Sequence, residues 1–285
     1  EHLWLDIRLL GRRHIETRLR EVKEICNYFL GIDPVEQLIP VRPAQHYSMG
    51  GIRTDHRGES RTLRGLFAAG EAACWDLHGF NRLGGNSVAE TVVAGMIVGE
   101  FIADFCASPA SEWNVSTALI GAFHRRESRR LEEIAARGGP ESPFALVREM
   151  QETMTEHVGI FRSGERLQHA VDTLQALLVR ARDVGLRSQA RGANPELVAA
   201  YRLPGMLKLA LCVAAGALAR TESRGAHYRS DFPARNDRDW LARTLATWPD
   251  AGATLPVLAR EPLDVRRMEL PPGWRGYGAR DHIGH

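Results

Sequence analysis

The 285-residue chain has almost no net charge and few cysteines. Lysine and arginine number 37 and aspartate and glutamate 35, so the formal charge of +2 excludes the strongly basic surface expected of a nucleic-acid-binding protein. The four cysteines form no CxxC pair, which excludes the usual motifs for a zinc ion or an iron–sulfur cluster. Cysteines scattered in this way predict free thiols in a reducing compartment.

Long apolar runs and an N-terminal targeting sequence are also missing. The most apolar segment, Met206 to Ala219, contains Lys208 and is shorter than the roughly 20 residues that span a bilayer, so it predicts a buried helix rather than a membrane span. The first residues have neither the basic start nor the apolar stretch of a signal peptide, and Glu1 stands where an initiator methionine would be expected. We therefore expect the chain to begin inside a larger protein.

The first part of the chain is predicted to mix strands, turns and one helix. Alternating residues predict a strand at 3–7, and helical spacing predicts a helix over 15–30 that ends at Gly31. Prolines and glycines among apolar residues predict strands and tight turns over 35–70. The apolar run at 65–71, which is bounded by glycines, predicts a buried strand.

The remainder of the chain is predicted to be mainly helical. Ser87 followed three residues later by Glu90 predicts a capping box that starts a long apolar helix reaching about residue 105. Pro204 is expected to kink or interrupt the last helix of the bundle, and the stretch from about residue 249 is expected to form an extended cover. Bundle helices are predicted over 116–137, 142–157, 165–185 and 195–223.

Two segments carry residues that could bind a charged ligand. His46 lies near the paired glycines Gly50 and Gly51, where a backbone can approach a ligand closely and an imidazole can bind an anion or move a proton. A lone histidine is more often structural than functional, so this segment is weak by itself. Glu71 ends the predicted strand at 65–71, where its carboxylate could accept hydrogen bonds from a ribose, although an ordinary surface carboxylate explains it almost as well.

A third segment is the glycine-rich loop at 78–87, which leads into the predicted helix. Arg82 offers two parallel N–H groups to a carboxylate. A helix N-terminus offers backbone N–H groups and partial positive charge to an electron-rich group. Together the three segments predict a site for a dinucleotide-like cofactor beside a carboxylate substrate.

Five segments are long enough to compare with known families. They are RPAQHYSMGG at 42–51, GLFAAGE at 65–71, LHGFNRLGGNSVAE at 77–90, RTESRGAH at 220–227 and GWRGYG at 273–278. In this order they resemble the flavoprotein subunit of fumarate reductases and succinate dehydrogenases. The residues AACWD at 72–76 and Gly85 resemble most closely the quinol:fumarate reductases that have a dihaem cytochrome b anchor.

The resemblance implies an oxidoreductase of anaerobic respiration that interconverts fumarate and succinate by hydride transfer with FAD. Electrons would be exchanged with an iron–sulfur subunit and quinone, and the complex would sit peripherally on the cytoplasmic face of the inner membrane through a cytochrome b anchor. His46 and Arg82 match residues that bind substrate carboxylates. The positions that match contacts of the cofactor are Tyr47, Ser48, Glu71, Arg82, Leu83, Gly84, Gly85, Asn86, Ser87 and Val88.

The fold class implied by the resemblance is an α+β fragment. It comprises the end of a capping domain, the C-terminal part of an α/β FAD-binding domain, a helical bundle domain and an irregular C-terminal tail. The borders that the resemblance implies are 1–43 for the capping domain, 44–113 for the FAD-binding domain, 114–231 for the helical domain and 232–285 for the C-terminal cover segment.

Several expected parts of such a site do not occur in this sequence. The family's Rossmann GxGxxG, its proton-donating arginine, a second carboxylate-binding histidine and the histidine that carries covalent flavin all match positions before residue 1. No catalytic proton donor and no metal ligand is therefore assigned within the chain. Because such groups each contribute several kcal/mol of transition-state stabilisation, we expect the chain alone to be inactive.

Two other interpretations stay open. An L-aspartate oxidase-like flavoenzyme shares these motifs, but the segment at 273–278 argues against it, since that enzyme is expected to end sooner. Alternatively, the chain is a non-catalytic helical interaction module, whose bundle binds a partner and whose glycine-rich loop is only structural. Turnover with succinate or with aspartate as the reductant would distinguish a fumarate reductase from an aspartate oxidase. Flavin absorbance would distinguish either enzyme from the non-catalytic module.

Overall fold

The computed structural model of the chain describes residues 2–43, 46–79, 81–109, 116–188, 190 and 192–264. Within these ranges the chain forms eight α-helices and three two-stranded sheets. The strands are β1 (Leu3–Leu5), β2 (Ile39–Val41), β3 (Ile52–Arg53), β4 (Ala73–Cys74), β5 (Ala242–Thr247) and β6 (Val257–Pro262). The helices are α1 (Arg12–Arg18), α2 (Arg20–Ile25), α3 (Asn86–Ala107), α4 (Thr117–Ala136), α5 (Pro143–His157), α6 (Gly164–Arg180), α7 (Pro195–Ala219) and α8 (Asp237–Trp240).

The N-terminal segment is a hairpin-like pair of strands with helices between them. Strand β1 pairs with β2 in antiparallel fashion, with Leu3 opposite Val41. Between them, α1 and α2 are separated at Leu19 and followed by a π-helical turn, Cys26–Leu30, which ends at Gly31 in the left-handed conformation with φ 68°. The predicted strand, helix and terminating glycine are confirmed, although the helix starts earlier and is broken once.

The predicted buried strand at 65–71 is wrong. Within this stretch, which the structure describes in full, only Phe67 makes a β-bridge, and a 3₁₀ turn begins at Gly70. Gly70 has φ 65°, and a Cβ added there would lie 3.1 Å from the side chain of Thr91 on α3. Close packing against the helix therefore turns the chain where an apolar run suggested a strand, and the short β4 that follows pairs in parallel with β3.

Helices α4 to α7 form the predicted bundle, whose core lies mainly between α6 and α7. The apolar face of α6 recurs every three to four residues and is buried along its whole length, as helical spacing requires. Its buried residues are Leu167, Ala170, Val171, Leu174, Leu177 and Leu178. Leu203, Leu207 and Leu211 of α7 are fully buried against this face.

Helix α7 begins as predicted at residue 195 and ends at Ala219, four residues before the predicted end. The side chain of Asn194 accepts a hydrogen bond from the Leu197 N–H at 3.1 Å, which caps the first turn. The predicted interruption at Pro204 is wrong, because the helix continues through it. Fully buried Leu203 and Leu207 on either side offset the roughly 3 kcal/mol that an interior proline costs.

The same helix is long and apolar enough to cross a membrane by length and composition. In the structure it is instead the central helix of the bundle, with α4, α5 and α6 packed against it. Core helices of globular proteins pass the same test, and one face of α7 is buried in the bundle, whereas Leu209 on another face is 67% exposed.

The C-terminal part is more regular than the extended cover that the sequence predicted. Strands β5 and β6 form an antiparallel hairpin, with Ala242 opposite Pro262. The guanidinium of Arg220, at the end of α7, donates to the carbonyls of Trp240 at 3.0 Å and Ala242 at 2.6 Å, which fixes the hairpin to the bundle. The segment at 273–278 lies outside the described residues.

Candidate flavin and carboxylate site

The glycine-rich loop delivers the chain into α3 with an uncapped N-terminus. Gly85 is the N-cap residue, with φ 80° in the left-handed region, and no side chain caps the first turn. The predicted capping box is wrong, because Ser87 lies inside the helix and the Glu90 side chain bonds elsewhere. Backbone N–H groups of the first turn are thus available to an external acceptor, at the positive end of the helix.

The surroundings of this helix end are open and partly apolar. Leu83 is 65% exposed and Val88 is 72% exposed. A Cβ added at Gly84 or Gly85 would meet no other atom within 4 Å. An open helix N-terminus with an apolar side chain on each side suits the electron-rich edge of a flat ring, so these residues fit a flavin.

The segment that contains His46 is joined to the turn that contains Glu71. The Ser48 N–H donates to the Glu71 carboxylate at 2.7 Å, and the Glu71 side chain is exposed. Gly51 has φ 127°, and a Cβ there would lie 2.4 Å from the carbonyl oxygen of Ala72, so only glycine allows this approach. The predicted cofactor residues Ser48 and Glu71 therefore lie together.

Arg82 lies against the same segment. Its guanidinium carbon is 5.6 Å from the centre of the Tyr47 ring, and one of its N–H groups donates to the Leu83 carbonyl at 3.2 Å. The arginine is half-buried, whereas His46, which precedes Tyr47 in the chain, is exposed. The structure thus brings the two predicted carboxylate-binding residues onto neighbouring pieces of backbone.

Sequence reasoning missed a buried carboxylate behind these residues. Glu90 is 6% exposed and accepts hydrogen bonds from the Tyr47 hydroxyl at 3.2 Å and the Trp75 indole N–H at 3.1 Å. Burial, followed by the charge of Glu90, raises the pKa of Tyr47. The signal in the sequence was a lone acid near the start of an apolar helix, soon after Trp75 and His78. The sequence pattern alone assigns this acid to a helix cap.

The RTESRGAH segment forms a second polar cluster, whose groups satisfy one another. The Glu222 carboxylate is fully buried and accepts from Arg220 at 2.6 Å and Arg224 at 2.8 Å. The Nδ1 atom of His227 lies 2.8 Å from the Arg162 guanidinium. Burial, and then the charge of Arg162, lowers the pKa of His227 to about 4, so the ring is neutral at pH 7. These contacts hold the end of α7 against the residues that follow it.

Metal ligands do not cluster among the described residues, and burial affects three of the four thiols. In the described parts of the chain, no three His, Cys, Asp or Glu side chains are placed to hold a metal ion. Burial raises the pKa of the thiols of Cys26, Cys74 and Cys212, so these cysteines are protonated at pH 7.

The fold and the site define a class of protein: a cofactor-binding region with an arginine beside an open helix N-terminus, followed by a helical bundle. Comparison with family descriptions agrees with this class. Residues 1–88 match the FAD binding domain, and residues 147–277 match the C-terminal region of the fumarate reductase flavoprotein. FAD is therefore the cofactor that this region is built to bind.

Two curated relatives indicate which flavoproteins the chain is similar to. The chain is 46% identical over 310 residues to the fumarate reductase flavoprotein subunit of Helicobacter pylori, covering 99% of this chain and 43% of that protein. It is 41% identical to the corresponding subunit of Mycobacterium tuberculosis, covering 97% of this chain and 47% of that protein. The chain thus spans about half the length of the curated relatives it matches.

Solved structures agree with the sequence comparison. An Escherichia coli quinol fumarate reductase structure aligns with a TM-score of 0.88 at 37% identity, covering 96% of this chain and 46% of that chain. The adenylylsulfate reductase of Archaeoglobus fulgidus aligns with a TM-score of 0.66 at 19% identity, which shows a shared fold alone. The chain therefore matches part of the flavoprotein subunits of fumarate reductases, over their FAD-binding and C-terminal regions.

Proposed function

We propose that the protein containing this chain interconverts fumarate and succinate and that this chain supplies part of its FAD site and part of its substrate site. The observation that carries the proposal is the uncapped N-terminus of α3 beside Arg82, which rests on the ring of Tyr47. An anion-binding arginine next to an open helix end places a carboxylate substrate beside an electron-rich cofactor.

Each residue has a role in this proposal. The backbone N–H groups at Ser87 and Val88 would donate hydrogen bonds to the electron-rich edge of the flavin, and the Glu71 carboxylate would accept one from a ribose hydroxyl. Leu83 and the glycines at 84–85 let the ring approach the backbone. Bound flavin would supply the hydride-transfer chemistry. His46 and Arg82 bind the carboxylates of a four-carbon diacid, and the Arg82 fork orients the double bond and withdraws charge from it.

The partners and domain borders follow from the family. We assign residues 1–43 to the end of a capping domain, 44–113 to the FAD-binding domain, 114–231 to the helical domain and 232–285 to the C-terminal cover. The closed core of α4 to α7 supports the helical domain. An iron–sulfur subunit would exchange electrons with the flavin, and a cytochrome b anchor would hold the complex peripherally at the cytoplasmic face of the membrane. The quinol fumarate reductase relatives support this arrangement.

The first experiment is the intact mass of the protein purified under denaturing conditions from its native source, with an absorbance scan for flavin. A mass near twice 31.7 kDa with covalently held flavin is expected. A colourless protein near 31.7 kDa would refute the catalytic proposal. With succinate and aspartate as alternative reductants, turnover with succinate is expected, and turnover with aspartate alone would favour the aspartate oxidase interpretation.

The role of Arg82 can be tested by a charge-conserving change. In the intact enzyme, Arg82→Lys keeps the positive charge but loses the planar fork, so kcat/KM for fumarate should fall roughly 100-fold. The matched control is Arg64→Lys, since Arg64 is exposed. Equal kcat/KM in both variants, measured per bound flavin, would remove Arg82 from the substrate site.

A further inference from the structure

Glu90 is a buried acid whose environment is not explained by packing. Its side chain is 3% exposed, and it lies on the face of α3 that turns toward the loop at 70–78. Its two hydrogen-bond donors described above are the Tyr47 hydroxyl and the Trp75 indole, both neutral. Neutral donors offset only part of the free energy needed to bury a carboxylate, and an apolar side chain would fill this space without that cost.

The groups around Glu90 clamp Tyr47 from two sides. The hydroxyl of Tyr47 is held by the carboxylate, and the His78 ring packs edge-on against the phenol ring at a centroid distance of 5.5 Å. The Nε2 atom of His78 lies 3.9 Å from the Glu90 carboxylate and is buried without a hydrogen-bond partner among the described residues. Tyr47 is thus fixed at its hydroxyl end and along one edge.

The opposite side of this clamp is the substrate site. The Arg82 guanidinium lies over the Tyr47 ring, and His46 is the residue that precedes Tyr47 in the chain. A cation over a ring face is attracted by the ring quadrupole, so the position of the ring influences where the guanidinium rests. Any shift of Tyr47 therefore moves both predicted carboxylate-binding groups.

We propose that Glu90 is a positioning residue that, through Tyr47, holds Arg82 and His46 in the geometry that binds a dicarboxylate. This inference rests on the proposed function and assigns a residue to it that touches neither substrate nor cofactor. Because Arg82 and His46 would contact the substrate before and during reaction, a loosened Tyr47 weakens binding more than it slows the bound complex.

The test uses Glu90→Gln in the full-length enzyme with its flavin. The amide keeps the volume of the carboxylate but cannot accept both hydrogen bonds in the same way. The KM for fumarate should rise roughly tenfold, with kcat changed less, since small displacements of binding groups have effects of this size. Glu90→Asp, which keeps the charge, should recover part of the loss. The matched control is Glu100→Gln on the same helix, because Glu100 is exposed.

A double-mutant cycle separates positioning from a general loss of structure. If Glu90 acts through Tyr47, then Tyr47→Phe combined with Glu90→Gln should lose no more kcat/KM than the larger single change. A purely structural role would lower flavin content or the unfolding temperature while leaving the KM of flavin-loaded enzyme unchanged. That result, or losses that simply multiply in the double variant, would overturn the inference.

The wild-type enzyme distinguishes this inference from the function on which it rests. Wild-type protein with flavin but without fumarate or succinate turnover would refute both. If the wild type is active and Glu90→Gln has an unaltered KM for fumarate, only the positioning role of Glu90 would be refuted. Competitive binding of malonate, a dicarboxylate that is not turned over, should weaken in Glu90→Gln by the same factor as KM, while acetate binding should change less because it has one carboxylate.

Discussion

Helices α3 and α6 both carry many apolar side chains, yet they place these side chains in different environments. Leu174 and Leu177 of α6 are fully buried in the bundle, whereas Val88 and Met96 of α3 are 72% and 67% exposed. The helical domain therefore closes its own core, while the flavin region presents an apolar helix face that the described residues leave uncovered. Periodicity shows that a helix has an apolar face, and only the three-dimensional structure shows what covers it.

The largest expected effect comes from truncating a buried side chain on α6, compared with truncating an exposed one on α3. Leu174→Ala should lower the free energy of unfolding by about 4 kcal/mol, since it deletes a buried side chain and leaves a cavity. Val92→Ala on α3 should cost less than about 1 kcal/mol, because Val92 is 56% exposed. Urea unfolding of each variant measures both values.

The matched control for this comparison lies on α6 itself. Val179 is 48% exposed, so Val179→Ala should behave like Val92→Ala although it belongs to the bundle. If Val92→Ala in the full-length protein costs as much as Leu174→Ala, then α3 is covered in that protein and the contrast between the two regions disappears.

The two regions should also respond to opposite ends of the pH scale. The pKa of His227 is lowered from 6.5 to about 4, so below pH 6.5 the unfolded chain takes up a proton that the folded chain does not. The free energy of unfolding should therefore fall as the pH drops from 6.5 to 4, by on the order of 3 kcal/mol from this group. Burial raises the pKa of Tyr47, so the flavin region should instead lose stability as the pH rises through about 10, the ordinary value for tyrosine.

A variant isolates the contribution of His227. His227→Gln keeps a neutral side chain that can accept from Arg162 and donate to a carbonyl. Its unfolding free energy, measured by urea titration at each pH from 7 to 4, should depend less on pH than that of the wild type. Parallel curves for the two proteins would show that His227 does not set the acid response.

The smallest effect concerns an ion pair between Asp76 and Arg243, which are 167 residues apart in the sequence. Asp76 has φ 76° and accepts two hydrogen bonds of 2.5 Å from Arg243 on β5. Asp76→Asn tolerates this backbone conformation but removes the charge, so unfolding should become easier by about 1 kcal/mol for this half-exposed pair. Near 1 M NaCl the difference between variant and wild type should shrink, because salt screens exposed charges. A difference that does not change with salt would mean that Asp76 acts by shape rather than charge.

Much of the helical domain could be predicted because helical periodicity is local. The spacing of Leu167, Leu174 and Leu177 predicted a buried face that the structure confirms, and Asn194 marked the start of α7 correctly. The failures lie where distant contacts decide the conformation. The run at 65–71 has the composition of a strand but turns at its last residues because α3 packs against it.

The candidate site divides in the same way. The segments containing Tyr47 and Arg82 were predicted to meet, because their motifs belong to one binding function, and the structure places them together. Glu90 was assigned to a helix cap, since the sequence shows the residue three positions before it but not the tyrosine 43 residues earlier that it bonds. Local rules describe a side chain by its neighbours in sequence, and its partner here is a neighbour only in space.

The ion pair that joins Arg53 to the C-terminal hairpin can form only late in the synthesis of the chain. Arg53 meets Glu261 at 3.1 Å across 208 residues of sequence. At the usual pace of translation, roughly 5–20 residues per second, Arg53 is synthesised about 10–40 seconds before its partner. During that interval Asp76 cannot form its ion pair with Arg243, because β5 has not yet been synthesised. A chain that ended before β5 would keep the helices of the bundle but would lack Arg243, the partner of Asp76.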